Sequence, residues 1–320
     1  MRPHARATLA VDLGGTDIKL GLFDGPRVLA TTEFATTGAA ADLDAVRDGV
    51  ERLTTEAGLS GAYRGVGIAV PGIVDRSAGA LVGAQDKYPW ALGRDLVSWA
   101  EDAFGAPAVL ENDARAALVG ERRYGAATSH PDAVLLTLGT GIGTAATLSG
   151  VLVRGRTDHA GVLGGHLTMQ LDGPLCNCGN LGCAESLAST WALPRVVAEH
   201  PELDAHPDWR RRLERGNLSL RDIMAAPTSD AFATDVADRF IRVWGAVAVG
   251  LCHAYDPSIV IVTGGVMRSA ARILPGVRAH VEAHLWSTAP RPLIHTPTRP
   301  EHSVLLGLAA LAEPHPEDHR

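Results

Sequence analysis

Residues 133–153 read AVLLTLGTGIGTAATLSGVLV: an apolar run, a glycine/threonine turn, a second apolar run, another turn and the start of a third. Residues 8–25, TLAVDLGGTDIKLGLFDG, follow the same plan, and RVLATTEFAT at 27–36 supplies a third strand. Short apolar stretches bounded by glycine predict strands joined by tight turns. Two copies of one local plan predict two related lobes with a cleft between them. Around them the pattern alternates. Leu43, Val46, Val50 and Leu53 lie at helical spacing in 41–58, which ends at Gly58, a residue suited to a helix C-cap. Then come a strand within 65–75, a helix over 95–105, a strand at 107–112 and a helix over 113–126. In the second half a helical stretch from about 229 to 255 leads into PSIVIVTGGVM, and a short helix near 303–312 closes the chain. Strands and helices in alternation predict the α/β class.

At 320 residues the chain exceeds a typical single domain of roughly 100–200 residues, which again favours two lobes. The expected division is residues 1–112 plus a terminal helix about 301–320 for the first lobe, and 113–300 for the second. Hydrophobic residues make up 46% and aromatic ones only 5%, so burial must rest on Ala, Val, Leu and Ile. The formal charge of −7 argues against a nucleic-acid partner, because phosphate neutralisation needs clustered cations. The one basic run, RRRLERG at 210–216, reads as a solvated helix face. Neither a signal-peptide core nor a membrane span is present in the pattern, so a cytoplasmic protein without membrane contact is expected.

Three strands run into glycines: VDLGGT at 11–16, LTLGTGIG at 136–143 and IVTGGV at 261–266. Glycine lets a backbone approach a ligand closely and aim its N–H groups at an anion, although each turn alone reads more readily as a tight hairpin. Asp12 ends the first strand, where it serves either as a turn cap or as a carboxylate for Mg²⁺ beside phosphates. Lys19, one of only two lysines, offers a point charge on the return strand. Asp113 follows a strand and opens a helix. It is either a helix cap or a base that accepts a proton from a hydroxyl attacking phosphorus. Asn112 beside it carries both a donor and an acceptor suited to a sugar hydroxyl.

His166, Cys176, Cys178 and Cys183 have the spacing H-x9-C-x-C-x4-C. Four N/S donors so close in sequence match a closed tetrahedral zinc site, and Gly179 and Gly182 permit the reversals such a loop needs. A closed site leaves no position for water, so the metal is expected to brace the loop and a zinc hydrolase is disfavoured. Glu185 follows the last cysteine by two residues. Cys252, isolated on an apolar helix, reads as core.

Taken in order, AVDLGGTDIKLGLFD, GVGIAVPGIVD, LENDARAALVGE, LTLGTGIGTA, GGHLTMQLDGPLCNCGNLGCAES and IVTGGV resemble the ROK family of sugar kinases and sugar-responsive repressors. The resemblance spans nearly the whole chain. It implies the actin-like, ribonuclease-H-like duplicated two-domain fold, with ATP and sugar in the interdomain cleft. By position it implies Asp113 as catalytic base, Asn112 as sugar ligand, His166 as ligand to both sugar and zinc, and Glu185 as sugar ligand. Asp12, Gly14, Gly15, Thr16 and Lys19 match the first phosphate motif. Gly139, Thr140, Gly141 and Gly143 match the second, and Gly264 and Gly265 the adenosine motif. The implied cofactors are ATP, Mg²⁺ and structural Zn²⁺, and the expected assembly is a homodimer or homotetramer.

Family repressors carry a DNA-binding domain before the first phosphate motif, which here begins within the first dozen residues, so the kinase branch is expected. The rival of another class is a catalytically silent sugar sensor. One departure bears on the substrate. Glucose kinases of this type usually carry Glu three residues before the zinc histidine, where this chain has Leu163, and Lys87 stands near a common Asn. The expected substrate is therefore a hexose or hexose-like molecule phosphorylated on its primary hydroxyl, with an amino sugar or cyclitol as the alternative to glucose.

Overall fold

The structure, a computed structural model, describes residues 7–84 and 88–313. It divides into two compact units. The first comprises residues through Ser129, Leu152–Val162 and the chain from Thr298, and the second His130–Val151 and Leu163–Pro297.

In the first unit the strands β1 (Ala7–Leu13), β2 (Asp17–Asp24) and β3 (Arg27–Ala35) form an antiparallel meander. Helix α1 (Asp42–Glu56) leads to β4 (Tyr63–Val70), which lies parallel to β1. A small hairpin, β5 (Ile73–Asp75) and β6 (Ala80–Gly83), and helix α2 (Leu96–Phe104) precede β7 (Ala108–Asn112), parallel to β4. Helix α3 (Asp113–Tyr124) follows directly. The sheet order is β3-β2-β1-β4-β7.

The second unit repeats this plan with β8 (Ala133–Leu138), β9 (Ile142–Leu148) and β10 (Val151–Leu152), whose last residue begins the segment grouped with the first unit. Short helices α4 (Ala184–Ala188), α5 (Leu193–Ala198), α6 (Pro207–Glu214) and α7 (Leu220–Ala225) lead to the long α8 (Ala231–Tyr255). Strand β11 (Ile259–Thr263), helix α9 (Ala270–His284) and β12 (Leu293–His295) complete the sheet, in the order β10-β9-β8-β11-β12. The predicted duplication is thus present strand for strand.

Every residue of β1 and of β11 is buried, as expected of strands covered on both faces. The core is aliphatic, with few aromatic anchors such as Phe23, Phe240 and Trp244. The basic run lies on α6, where Arg210, Arg211 and Arg212 pair with Asp204, Asp208 and Asp222. Among the described residues no helix is long and apolar enough to cross a membrane.

The observed units differ from the expected division at Asp113. Helix α3 belongs to the first unit because it packs on the closing helix α10 (Ser303–Ala312). Gly120 and Gly307 let the two backbones touch, since a Cβ on Gly307 would lie 1.7 Å from the Ala116 carbonyl oxygen. Ser303 Oγ also donates to the buried Glu121 carboxylate. Residues 152–162 join the first unit too, through the Arg115 contacts described below. The closing helix ends at Ala312, and residues 314–320 of the expected terminal segment lie outside the described residues.

Candidate active site

In the first unit the C-terminal ends of β1, β4 and β7 lie side by side, with Asp12 opposite Ala69 and Val70 opposite Asn112. Asp12 is also the cross-strand partner of Lys19 on β2, so the two side chains share a face. Asp12 is only 7% exposed. Burial first, then the negative charge of Asp113, push its carboxyl up to about 7, while Lys19 pulls the other way. A buried carboxylate with more negative charge near it than one lysine offsets is a donor set suited to a hard cation such as Mg²⁺.

Asp113 sits at the first position of α3, half-buried, and Asn112 is the residue that caps the helix. Asn112 Oδ1 accepts from Arg115 N–H at 3.1 Å. Its Nδ2 donates to the Gly72 carbonyl at 2.9 Å and to Asp113 Oδ1 at 3.0 Å. Asp113 Oδ1 also accepts from Ala114 N–H at 2.8 Å. Of the two readings open for Asp113, cap or base, the cap has gone to its neighbour. The carboxylate is left oriented at a helix N-terminus, where negative charge is favoured. Gly72 has φ +115, and a Cβ there would meet the Gly83 carbonyl at 2.0 Å, so only glycine can present this carbonyl to Asn112.

Behind this pair lies a buried ionic network. Glu111 and Arg115 are each 1% exposed. Glu111 pairs with Arg154 and Arg115, and Asp158 with the same two arginines. Arg115 Nη2 donates to the carbonyls of Val153, Asp158 and Ala160, which holds residues 152–162 to the first unit. The Gly14 carbonyl accepts from the buried Tyr88 hydroxyl at 2.6 Å, and the Thr16 carbonyl accepts from Thr36 N–H at 3.0 Å, while Gly15 is exposed. Sequence reading missed Tyr88 and this ionic network. The only advance signal was the cluster of charged residues, Glu111, Asp113 and Arg115, between the apolar runs of β7 and α3. Lys87 lies outside the described residues.

In the second unit Gly139–Gly141 form the β8–β9 turn, with Gly139 N–H donating to the Gly141 carbonyl at 3.0 Å, and Gly143 lies on β9. Gly264 has φ +99, and its missing Cβ would lie 2.3 Å from the Leu138 carbonyl oxygen; Gly265 next to it faces open space. Glu185 is buried, with Oε2 accepting from Ile142 N–H at 2.7 Å and Oε1 from the Trp191 indole at 3.2 Å. The sequence offered this carboxylate as a sugar ligand; its present partners belong to the protein.

The ligand atoms of His166, Cys176, Cys178 and Cys183 all lie within 4.8 Å of one another. Cys178 Sγ and Cys183 Sγ are 3.7 Å apart, and Cys176 Sγ is 3.6 Å from His166 Nδ1. A tetrahedron of ligands about 2.3 Å from zinc has edges of about 3.8 Å, so this donor set fits the ion. Asn180 Nδ2 donates to Cys183 Sγ at 3.3 Å, a contact that favours a thiolate. Burial and the neighbouring thiols push Cys183 up to about 12, a cost that a bound cation would remove. Gly179 and Gly182 take φ +88 and +61, as the loop requires.

Residues 8–315 match the ROK family. The chain belongs to that family. A glucokinase of Thermotoga maritima is 32% identical over 278 residues, which cover 85% of this chain and 86% of that protein. A xylose repressor of Bacillus subtilis is 27% identical over 224 residues, covering 70% of this chain and 54% of the repressor. Among solved structures, a ROK family glucokinase from Streptomyces griseus in complex with glucose and AMPPNP is 31% identical, with a TM-score of 0.80, over 96% of this chain and 99% of that one. The ROK chain described here accordingly has the actin-like α/β fold, with one copy of the duplicated sheet in each unit.

Proposed function

We propose that in this ROK chain, an ATP-dependent carbohydrate kinase, Asp113 is the general base for phosphorylation of a sugar hydroxyl, most simply the primary one of a hexose. The observation that carries this reading is the orientation of Asp113. Its carboxylate is set at a helix N-terminus by Asn112, in the same cluster as the buried Asp12 and its partner Lys19. A base so placed removes the hydroxyl proton as the oxygen attacks phosphorus. Lys19 and the N–H groups of the glycine turns offset charge on the phosphates, with Asp12 as the residue that would hold Mg²⁺. The magnesium ion supplies charge neutralisation on the phosphoryl group when bound.

Asn112, His166 and Glu185 are the proposed sugar ligands. Asn112 and Glu185 keep acceptor capacity beyond the bonds described above, since an amide oxygen has two lone pairs and a carboxylate about four. Zinc held by His166, Cys176, Cys178 and Cys183 braces the loop. Leu163, 38% exposed, gives a second reading of the substrate: where the glucose pattern has an acid, a hydrocarbon favours an amino sugar or cyclitol over plain glucose. Coupled ADP release across glucose, mannose, N-acetylated and amino sugars and cyclitols tests both. A selective acceptor identifies the substrate. A flat result, with sugar-dependent stabilisation intact, moves the chain to the silent-sensor reading.

A further inference from the structure

Groups from outside the second glycine turn hold its backbone and the start of β9. Ile142 N–H donates to Glu185 Oε2, and the Ile142 carbonyl lies so close to Gly165 that a Cβ there would sit 2.0 Å from its oxygen. Gly165 immediately precedes His166, and Glu185 follows Cys183 by two residues. Both flanks of the His/Cys loop therefore hold the same residue of β9. Gly164 N–H adds a bond to Thr144 Oγ1 at 2.9 Å, two residues along the strand. On the far side Trp191 joins in twice. Its indole donates to Glu185 Oε1 and its backbone N–H to the Thr140 carbonyl at 3.4 Å, while Thr190 N–H donates to the Gly139 carbonyl at 3.1 Å. Gly141 has no room for a side chain, because a Cβ would lie 2.4 Å from Glu185 Oε2.

On the reading that this turn takes the phosphates of ATP, we propose that Glu185 and Trp191 are positioning residues: they hold the Gly139–Gly143 backbone in its anion-binding shape and make nucleotide affinity depend on the integrity of the His/Cys loop. A turn rich in glycine has little rigidity of its own. Its N–H groups bind an anion well only when they are ordered before the anion arrives. Here one bond within the turn is supplemented from outside it, by a buried carboxylate, the indole that fixes it and the backbone N–H groups of Thr190 and Trp191.

The test uses the full chain loaded with zinc. Trp191→Phe removes one donor to Glu185 and leaves the backbone clamp. It should raise both the Kd of a non-hydrolysable ATP analogue, read by calorimetry, and KM for ATP about five- to tenfold. The same variant should keep its zinc content and its kcat at saturating ATP and sugar. Glu185→Gln should weaken the analogue further, because the amide must point its NH₂ at one of two N–H donors. Adding Trp191→Phe to Glu185→Gln should then cost less than it does in the wild type, since one of those conflicts is gone. Stripping zinc with a chelator should weaken analogue binding, and added Zn²⁺ should restore it. Unchanged analogue Kd in both variants and in the stripped protein, or a loss confined to KM for sugar, overturns the proposal. A wild type that binds no analogue and releases no ADP overturns the kinase reading together with it. A wild type that binds the analogue alongside indifferent variants overturns this proposal alone.

Discussion

Asp12 on β1 and Thr137 on β8 hold equivalent places in the two sheets. Each is the penultimate residue of its strand, followed by leucine and a glycine turn, and each has a cross-strand partner at the start of the return strand. In the first sheet that pair is Asp12 with Lys19; in the second it is Thr137 with Gly143. The parallel neighbours differ less, Ala69 in one and Thr263 in the other. One backbone device thus appears in two chemical forms. The first carries charged side chains at its strand ends and ties its turn with a neutral tyrosine hydroxyl. The second has bare backbone at its turn and ties it with a carboxylate from another element. A duplicated scaffold supplies position, and the residues placed on it decide whether a copy carries charged side chains or backbone groups at its strand ends.

The strongest way to break this contrast is Asp113→Asn. It should lower kcat about 10³-fold while sugar binding and melting temperature stay near those of the wild type, because the amide keeps the shape and loses the base. Near-normal turnover would remove catalytic chemistry from the first unit. Glu111→Gln comes next. It leaves Arg115 buried with one carboxylate fewer, so unfolding in urea should show a loss of about 3–5 kcal/mol. A loss under about 1 kcal/mol, the range of an exposed pair, would show that the ionic network does not hold residues 152–162.

The pH dependence separates the two turns. Asp12 has a folded pKa of about 7 against an ordinary value of 3.8. Between those values the folded chain keeps a proton that the unfolded chain has lost, so this group's contribution to stability falls as pH rises, and is level below and above that window. Asp12→Asn stays neutral throughout. It should match the wild type near pH 4 and exceed it near pH 8, by about 4 kcal/mol. Stability curves that run parallel from pH 4 to 8 would contradict the burial of charge at the first turn. The smallest effect is expected from Tyr88→Phe. Loss of the hydroxyl bond to the Gly14 carbonyl should cost about 1 kcal/mol and raise KM for ATP a few-fold, with kcat unchanged. An effect on kcat alone would mean that Tyr88 acts on something other than the turn.

Much of the candidate site was legible in the order of residues along the chain. The candidate metal ligands fall within 18 residues, the glycine turns follow apolar strands directly, and Asp113 stands at a strand-to-helix junction. Other parts were hidden. Nothing near Tyr88 in the chain points to Gly14, 74 residues away, and nothing near Glu185 points to Ile142, 43 residues away. The expected division at Asp113 also differs from the observed units, since a helix's own sequence gives no sign of which element its packed face will meet.

Chain order alone dictates the duplicated strand-turn-strand plan, the glycine positions and the spacing of the His/Cys loop. These depend on local backbone geometry and on the short reach between ligands, both written in neighbouring residues. Which residue caps α3, which carboxylates share the first unit's strand ends and what Glu185 holds are settled only in the folded molecule. Those depend on partners brought together from distant parts of the chain, where burial makes an unpaired charge or donor too costly to leave alone.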